Sequence, residues 1–284
     1  MNRDSPTVDD ILRIAAFADG DAGGNPAGVW LGETLPPAEL MQRLAAQVGF
    51  SETVFAVPQG AGWRARYFSP EAEVPFCGHA TIALGAALAR SHGDGVYALT
   101  LNQASITVEG RRAGAGVQAA LQSPPTRSAA APEPLVDAAL SLFGYTRAEL
   151  DPRIPPALAH GGADHLVLAL ATREALAAMR YELDAGRRLM HAHGIVTIVL
   201  AWAESHQRFH TRNPFAAGGV YEDPATGAGT AALAGYLREL GWPHGGQIEV
   251  VQGEDMGMRS RLFAAIAPLP GSSIRVSGSA RFMP

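Results

Sequence analysis

Cys77-Gly-His-Ala-Thr-Ile-Ala-Leu-Gly-Ala-Ala-Leu88 lies over Thr226-Gly-Ala-Gly-Thr-Ala-Ala-Leu-Ala-Gly-Tyr-Leu237 at an offset of 149 positions (226 − 77), and this pair of stretches decides the fold. Gly78/Gly227, Thr81/Thr230, Ala83/Ala232, Leu84/Leu233 and Leu88/Leu237 are identical. Each stretch opens on glycine and is small, apolar and free of proline, which predicts a helix buried on most sides. Upstream, Arg43-Leu44 and Gly49 lie over Arg188-Leu189 and Gly194 at an offset of 145 (188 − 43), and Phe50–Val57 lies over Ile195–Trp202. Two blocks recurring in the same order predict a duplicated domain.

The surrounding pattern alternates between helix and strand. Pro36-Pro37 opens a stretch with Leu40, Met41, Leu44 and Val48 on one side, and Gly49 closes it, which predicts a helix. Strands are predicted at Phe50–Val57, Trp63–Phe68, Val96–Leu101 and Ser105–Val108. The segment from Ser123 to Pro134, rich in Pro, Ala and Ser, reads as the linker between the halves. The expected domains are residues 1–125, with the tail 278–284 as a candidate addition, and residues 126–277.

Composition excludes several functions. Hydrophobic residues make up 47% of the chain and charged residues 17%, which is ordinary for a globular protein. A net charge of −5 offers no basic footprint for nucleic acid. No apolar run is long enough to span a bilayer. The polar, acidic opening Met1–Asp10 resembles neither a signal nor a transit peptide. With Cys77 as the single cysteine, no internal disulfide can form, and the cytoplasm is the expected compartment. The 22 basic residues are all arginine. Without lysine, a pyridoxal-phosphate Schiff base and a lysine-bearing phosphate loop are both closed. Metal and organic cofactors are expected to be absent. His191 and His193, and His206 and His210, lack the acidic partner of a metal motif and read as solvated or locally bonded.

Duplication has a consequence for chemistry. Two glycine-opened helices present unpaired N–H groups and a partial positive charge at their starts. If both face one cleft between the halves, they suit a small carboxylate. The halves differ where chemistry would sit: Glu52 in the first corresponds to Thr197 in the second.

Four segments together resemble the PhzF-like, phenazine-biosynthesis family, whose members share the diaminopimelate-epimerase fold. They are Gly24-Asn25-Pro26-Ala27-Gly28-Val29, Phe50-Ser51-Glu52-Thr53, Tyr67 through Thr81, and Glu222-Asp223-Pro224-Ala225-Thr226-Gly227. The resemblance implies an α+β protein of two similar domains related by a pseudo-two-fold axis. Each would be a curved, mostly antiparallel sheet around a central helix. A cleft between the domains and a homodimer are also implied.

Carried over residue by residue, the resemblance makes Glu52, His79 and Asp223 the catalytic set, Glu52 as the acid/base and His79 and Asp223 lining the cleft and holding the substrate's polar groups. Gly78 and Gly227 would offer N–H groups to a carboxylate. Asn25, Cys77 and Ala228 complete the expected substrate-binding set, Asn25 being equally readable as a turn residue. Related epimerases use two thiols, but the mate of Cys77 is Thr226, whose hydroxyl is too weak an acid for that task. Ala228 stands where phenazine-type members often carry serine, which counts against the phenazine precursor as substrate. The expected activity is a cofactor-independent proton shift on a small carboxylate metabolite. The alternatives are an epimerase or racemase of a small amino or hydroxy acid, and a non-catalytic dimer that binds a small carboxylate. Neither nucleic acid nor membrane is an expected partner.

Overall fold

The computed structural model describes residues 6–114 and 116–284, so the first half of the polar opening Met1–Asp10 lies outside the described residues. The chain divides into two compact units, Met1–Gln122 with Ser277–Pro284, and Ser123–Val276.

In the first unit, β1 (Leu12–Ala18) and β2 (Asn25–Leu31) form an antiparallel pair. Helix α1 (Ala38–Val48) then crosses to β3 (Thr53–Gln59), which runs parallel to β2. Pro37 precedes α1, and Gly49 ends it in the left-handed region at φ 73°. Met41, Leu44 and Ala45 are buried on its inner face. β4 (Gly62–Phe68) returns antiparallel to β3, and the short β5 (Glu73–Val74) pairs with the end of β4. Helix α2 (Gly78–His92) follows, then β6 (Gly95–Thr100) parallel to β4, and β7 (Ser105–Ala113) and β8 (Gly116–Pro125) as an antiparallel meander.

The second unit repeats the plan after a preface. β9 (Arg127–Ala130) and α3 (Glu133–Phe143) lead into the antiparallel pair β10 (Ala157–His160) and β11 (Asp164–Ala169). Helices α4 (Arg173–Ala177) and α5 (Leu183–His193) cross to β12 (Thr197–Ala203), parallel to β11. β13 (Arg208–Phe215) turns back, β14 (Val220–Asp223) pairs with its end, and α6 (Gly227–Glu239) follows. β15 (Gln247–Gln252) then runs parallel to β13, and β16 (Ser260–Ile266) is antiparallel to β15. The last strand, β17 (Ser273–Phe282), ends in the first unit, where Ala280 lies opposite Ala16. The protein is thus α+β with two units of one topology, each holding a glycine-opened helix against its sheet.

Burial explains why those two helices lack polar faces. α2 is buried at every position from His79 to Ala89, packed in a core with Ile14, Val29, Val54, Trp63 and Val108. Removing all that apolar surface from water is the main drive for the unit, at roughly 25 cal/mol per Å². Helix and strand approach so closely that a Cβ on Gly110 would stand 2.1 Å from the Gly85 carbonyl oxygen. α6 is buried from Gly229 to Arg238 in the same way. Among the described residues, no helix is long and apolar enough to cross a membrane.

The repeat extends to a pair of ions. Tyr67 lies opposite Val74, and Asn213 opposite Asp223. One residue earlier on each strand, Arg66 bonds Glu73 and Arg212 bonds Glu222, both through two guanidinium nitrogens. The two ion pairs are equivalent elements of the duplication. Val74 in one unit and Asp223 in the other follow directly.

One sequence expectation is corrected. Ser123–Pro134 is no free linker: β8 runs to Pro125 and β9 occupies Arg127–Ala130. Pro124 and Pro125 close a strand, where a missing N–H costs little. Thr126 between the strands is buried and donates its N–H to Gly271 and its hydroxyl to Ser272.

Candidate active site

In the first unit three side chains converge at the start of α2. Cys77 is the residue before the helix, with extended backbone at φ −145°, and Gly78 is its first residue. A Cβ added to Gly78 would meet nothing within 4 Å, so the helix opens on unfilled space. His79 is buried, and its Nε2 lies 3.4 Å from Glu52 Oε2 and 3.3 Å from Ser51 Oγ. Glu52 sits just before β3 and is mostly buried, its carbonyl accepting the Gly28 N–H at 3.1 Å. The sheet register therefore fixes where the carboxylate can reach.

Cys77 Sγ is 3.3 Å from His79 Nδ1 and 3.9 Å from Nε2. A sulfur on the outward axis of one nitrogen would be much farther from the other. The near-equal distances put the thiol beside the ring. A second-layer chain holds this geometry: Tyr67 bonds Thr81 through their hydroxyls at 2.8 Å, and Thr81 donates to the Cys77 carbonyl at 2.7 Å. Burial pushes the Tyr67 phenol well above its ordinary value. Glu52, Cys77 and His79 each offer one ligand atom within 4.8 Å of the others, so these residues have the donors for a metal ion.

In the second unit, Asp223 ends β14 and Gly227 opens α6. Thr226 donates its hydroxyl to Asp223 Oδ2 at 2.5 Å. Gln252, fully buried on β15, clamps the turn from behind. Its Nε2 donates to the Asp223 carbonyl at 2.6 Å and to Thr226 Oγ1 at 3.0 Å, and its Oε1 accepts the Thr226 N–H at 3.1 Å. Ala228 is the second residue of α6, half-buried, where α2 has His79. The thiol position of the first unit is thus a hydroxyl committed to an aspartate in the second.

Glu52, His79, Cys77 and Gly78 come together in one unit. Asp223, Gly227 and Ala228 come together in the other. Asn25 is buried at the first position of β2, opposite Ala16. Ser51 and Gln252 join the site beyond the residues expected from the sequence. Ser51 stands inside the Phe50–Thr53 motif and was legible by adjacency. Gln252 carries no local signal, because its partners come from elements far away in sequence.

Residues 14–283 match the sequence model of the family described as phenazine biosynthesis-like protein. The chain belongs to the phenazine biosynthesis-like family. A trans-2,3-dihydro-3-hydroxyanthranilate isomerase of Pseudomonas aeruginosa is 32% identical over 274 residues, 94% of each chain. Its namesake in Pseudomonas fluorescens is 31% identical, over 88% of each chain. Among solved structures, a phenazine biosynthesis protein of the PhzF family from Bacillus anthracis superposes with a TM-score of 0.83 at 20% identity, over 96% of each chain. A probable proline racemase from Agrobacterium radiobacter shares the fold at a TM-score of 0.63 and 12% identity, over 96% of this chain and 90% of its own. The chain is an isomerase of this family.

Proposed function

We propose that the protein moves a proton between two carbons of a small carboxylate metabolite, with Glu52 as acid and base and without a cofactor. What carries the reading is the contact of Glu52 Oε2 with His79 Nε2 at 3.4 Å, beside the open start of α2. A carboxylate held there can accept a proton from a carbon next to a carboxylate or carbonyl. The electron pair left behind spreads into that group, and N–H donors at the helix start favour the resulting anion. Glu52, whose carboxyl proton exchanges with solvent, then returns a proton at another carbon, so atoms balance and the product is an isomer. His79 orients the carboxylate by holding it through Nε2.

Asp223, Gly227 and Ala228 are assigned to binding the polar groups of the substrate. The rigid hold of Thr226 and Gln252 on Asp223 supports that role, since binding groups work best when preorganised. The relatives named above suggest trans-2,3-dihydro-3-hydroxyanthranilate as the first compound to try. The hydrogen at Ala228 where a serine hydroxyl would add a contact argues for screening smaller carboxylates beside it.

The test is proton exchange in heavy water across a panel of carboxylates, wild type against Glu52→Gln. Deuterium entering at the new position, lost in Glu52→Gln with binding retained, is expected. Near-wild-type turnover by Glu52→Gln would overturn the assignment. Inversion at a single carbon would favour an epimerase instead.

A further inference from the structure

We propose that Glu52, Cys77 and His79 form a binding site for a borderline-soft divalent cation such as zinc, and that the cation blocks the isomerase by occupying its acid/base. The inhibitory half rests on the proposed role of Glu52; the site itself rests on geometry alone.

The donor set is one carboxylate oxygen, one thiol sulfur and one imidazole nitrogen. That mixture suits Zn²⁺ or Co²⁺ and poorly suits Mg²⁺ or Ca²⁺, which take oxygen. The separations fit as well. Zinc holds nitrogen and oxygen at about 2.0–2.2 Å and sulfur at about 2.3 Å in a tetrahedron, which puts neighbouring ligand atoms roughly 3.3–3.6 Å apart. Here Nε2 to Oε2 is 3.4 Å and Sγ to Nε2 is 3.9 Å, with all three ligand atoms inside 4.8 Å. Sγ also lies 3.3 Å from Nδ1, beside the ring, so a turn of the Cys77 side chain or of the imidazole must bring it to the Nε2 side before it can share the cation. Ser51 Oγ, 3.3 Å from Nε2, is near enough to support a fourth, solvent position.

The environment favours the bound, deprotonated ligands. His79 is buried, Glu52 is mostly buried, and the backbone of Cys77 is fixed by the Thr81 hydrogen bond. Cys77 also sits at the start of α2, where unpaired N–H groups favour a thiolate. Three donors on a rigid frame with one open position make a site that a free cation can enter. The imidazole edge and carboxylate oxygen it takes are the groups that hold and move the proton.

The decisive probe is Co²⁺ with the full-length protein. Cobalt bound to a thiolate gives a sulfur-to-metal charge-transfer band, and Cys77 is the chain's single thiol. The expected result is one such band saturating at one cobalt per chain. It disappears in Cys77→Ser, and in His79→Ala cobalt binds about 100-fold or more weakly, at or beyond the upper end of losses from removing a supporting residue alone. Zinc should displace the cobalt and suppress isomerisation in parallel, and a chelator should restore both. Circular dichroism confirms that each variant is folded, and Cys77→Ala serves if Cys77→Ser is not. Absence of the band, a band at half a cobalt per chain, or a band that saturates in His79→Ala at the cobalt concentration that saturates the wild type overturns the site. A normal band with zinc-insensitive turnover overturns the inhibitory role. Loss of activity in Glu52→Gln is read without metal, so the two proposals fail separately.

Discussion

The Arg212 guanidinium donates to the Glu222 carboxylate through Nε at 3.0 Å and Nη2 at 2.5 Å, and both side chains are buried. Its remaining Nη1 donates to the Ala177 and Met179 carbonyls at 2.9 and 3.2 Å. Burial works against the charge, yet the Glu222 carboxylate holds the guanidinium above its usual range. Glu222 directly precedes Asp223, so the pair anchors the strand that presents the aspartate.

Glu222→Gln should therefore destabilise the protein by up to about 3–5 kcal/mol, because it leaves a buried positive charge with only the longer 4.0 Å contact to Asp255 among its carboxylate partners. Glu73→Gln, at the equivalent but more exposed pair with Arg66, should cost about 1 kcal/mol or less, solvent screening the charge. Urea unfolding of both variants checks this. Equal losses would mean that burial does not set the cost.

Cys77→Ser should retain far more isomerase activity than Glu52→Gln. The thiol stands beside the imidazole, while the carboxylate meets Nε2 directly. The second unit offers Thr226 in place of a thiol, and its hydroxyl is committed to Asp223. Steady-state kinetics at saturating substrate decide it. An inactive Cys77→Ser with an active Glu52→Gln would point to thiol chemistry.

His165 gives a pH prediction. Its ring is fully buried, which pushes its pKa down to about 4, while Nδ1 meets Thr197 Oγ1 at 2.7 Å. The folded value lies below the unfolded one, so the unfolded chain binds the extra proton first. The stability contribution is complete above pH 6.5 and is lost as pH falls from there to about 4, by roughly 3 kcal/mol. Glu73 and Asp151, whose carboxylates Arg66 and Arg153 hold below their ordinary values, act mostly at the bottom of that window. Urea midpoints between pH 7.5 and 4.5 should fall more steeply in wild type than in His165→Asn. Parallel slopes would remove His165 as the cause.

Much of this was legible because its signals are local. Pro36-Pro37 and Gly49 bracket α1, and Gly78 and Gly227 open α2 and α6 where the repeat places them. The strand expected from Phe50 begins only at Thr53, because Gly49 leaves α1 in the left-handed region and the chain must turn before it can pair. Pro124-Pro125 read as a linker because proline breaks local patterns, and only the sheet shows that a strand ends there. The repeated Arg–Glu pair leaves no periodic signal in the sequence because its members are seven residues apart in one unit and ten in the other. Gln252 leaves none for a deeper reason: its value lies in touching Asp223 and Thr226, and no spacing encodes a contact between distant elements.

Gly28 joins that local motif to the site, and it yields the last prediction. It sits on β2 opposite Thr53, and a Cβ there would stand 2.5 Å from Thr53 Oγ1 and 2.8 Å from its methyl carbon. Both atoms belong to a fully buried side chain with nowhere to swing. Gly28→Ala must therefore push β3 away from β2, at a cost of about 1–3 kcal/mol for overpacking. The same shift stretches the hydrogen bond from the Gly28 N–H to the Glu52 carbonyl, now 3.1 Å. Glu52 would lose its register with His79, and a displacement of this kind costs about 100-fold in rate. The variant should fold with a modestly lowered urea midpoint and lose kcat more than it loses affinity for substrate. Shrinking Thr53 relieves the clash, so Thr53→Ala in the same chain should recover part of the rate. If Gly28→Ala kept full turnover, or if the second change gave no recovery, the strand register would not be what positions Glu52.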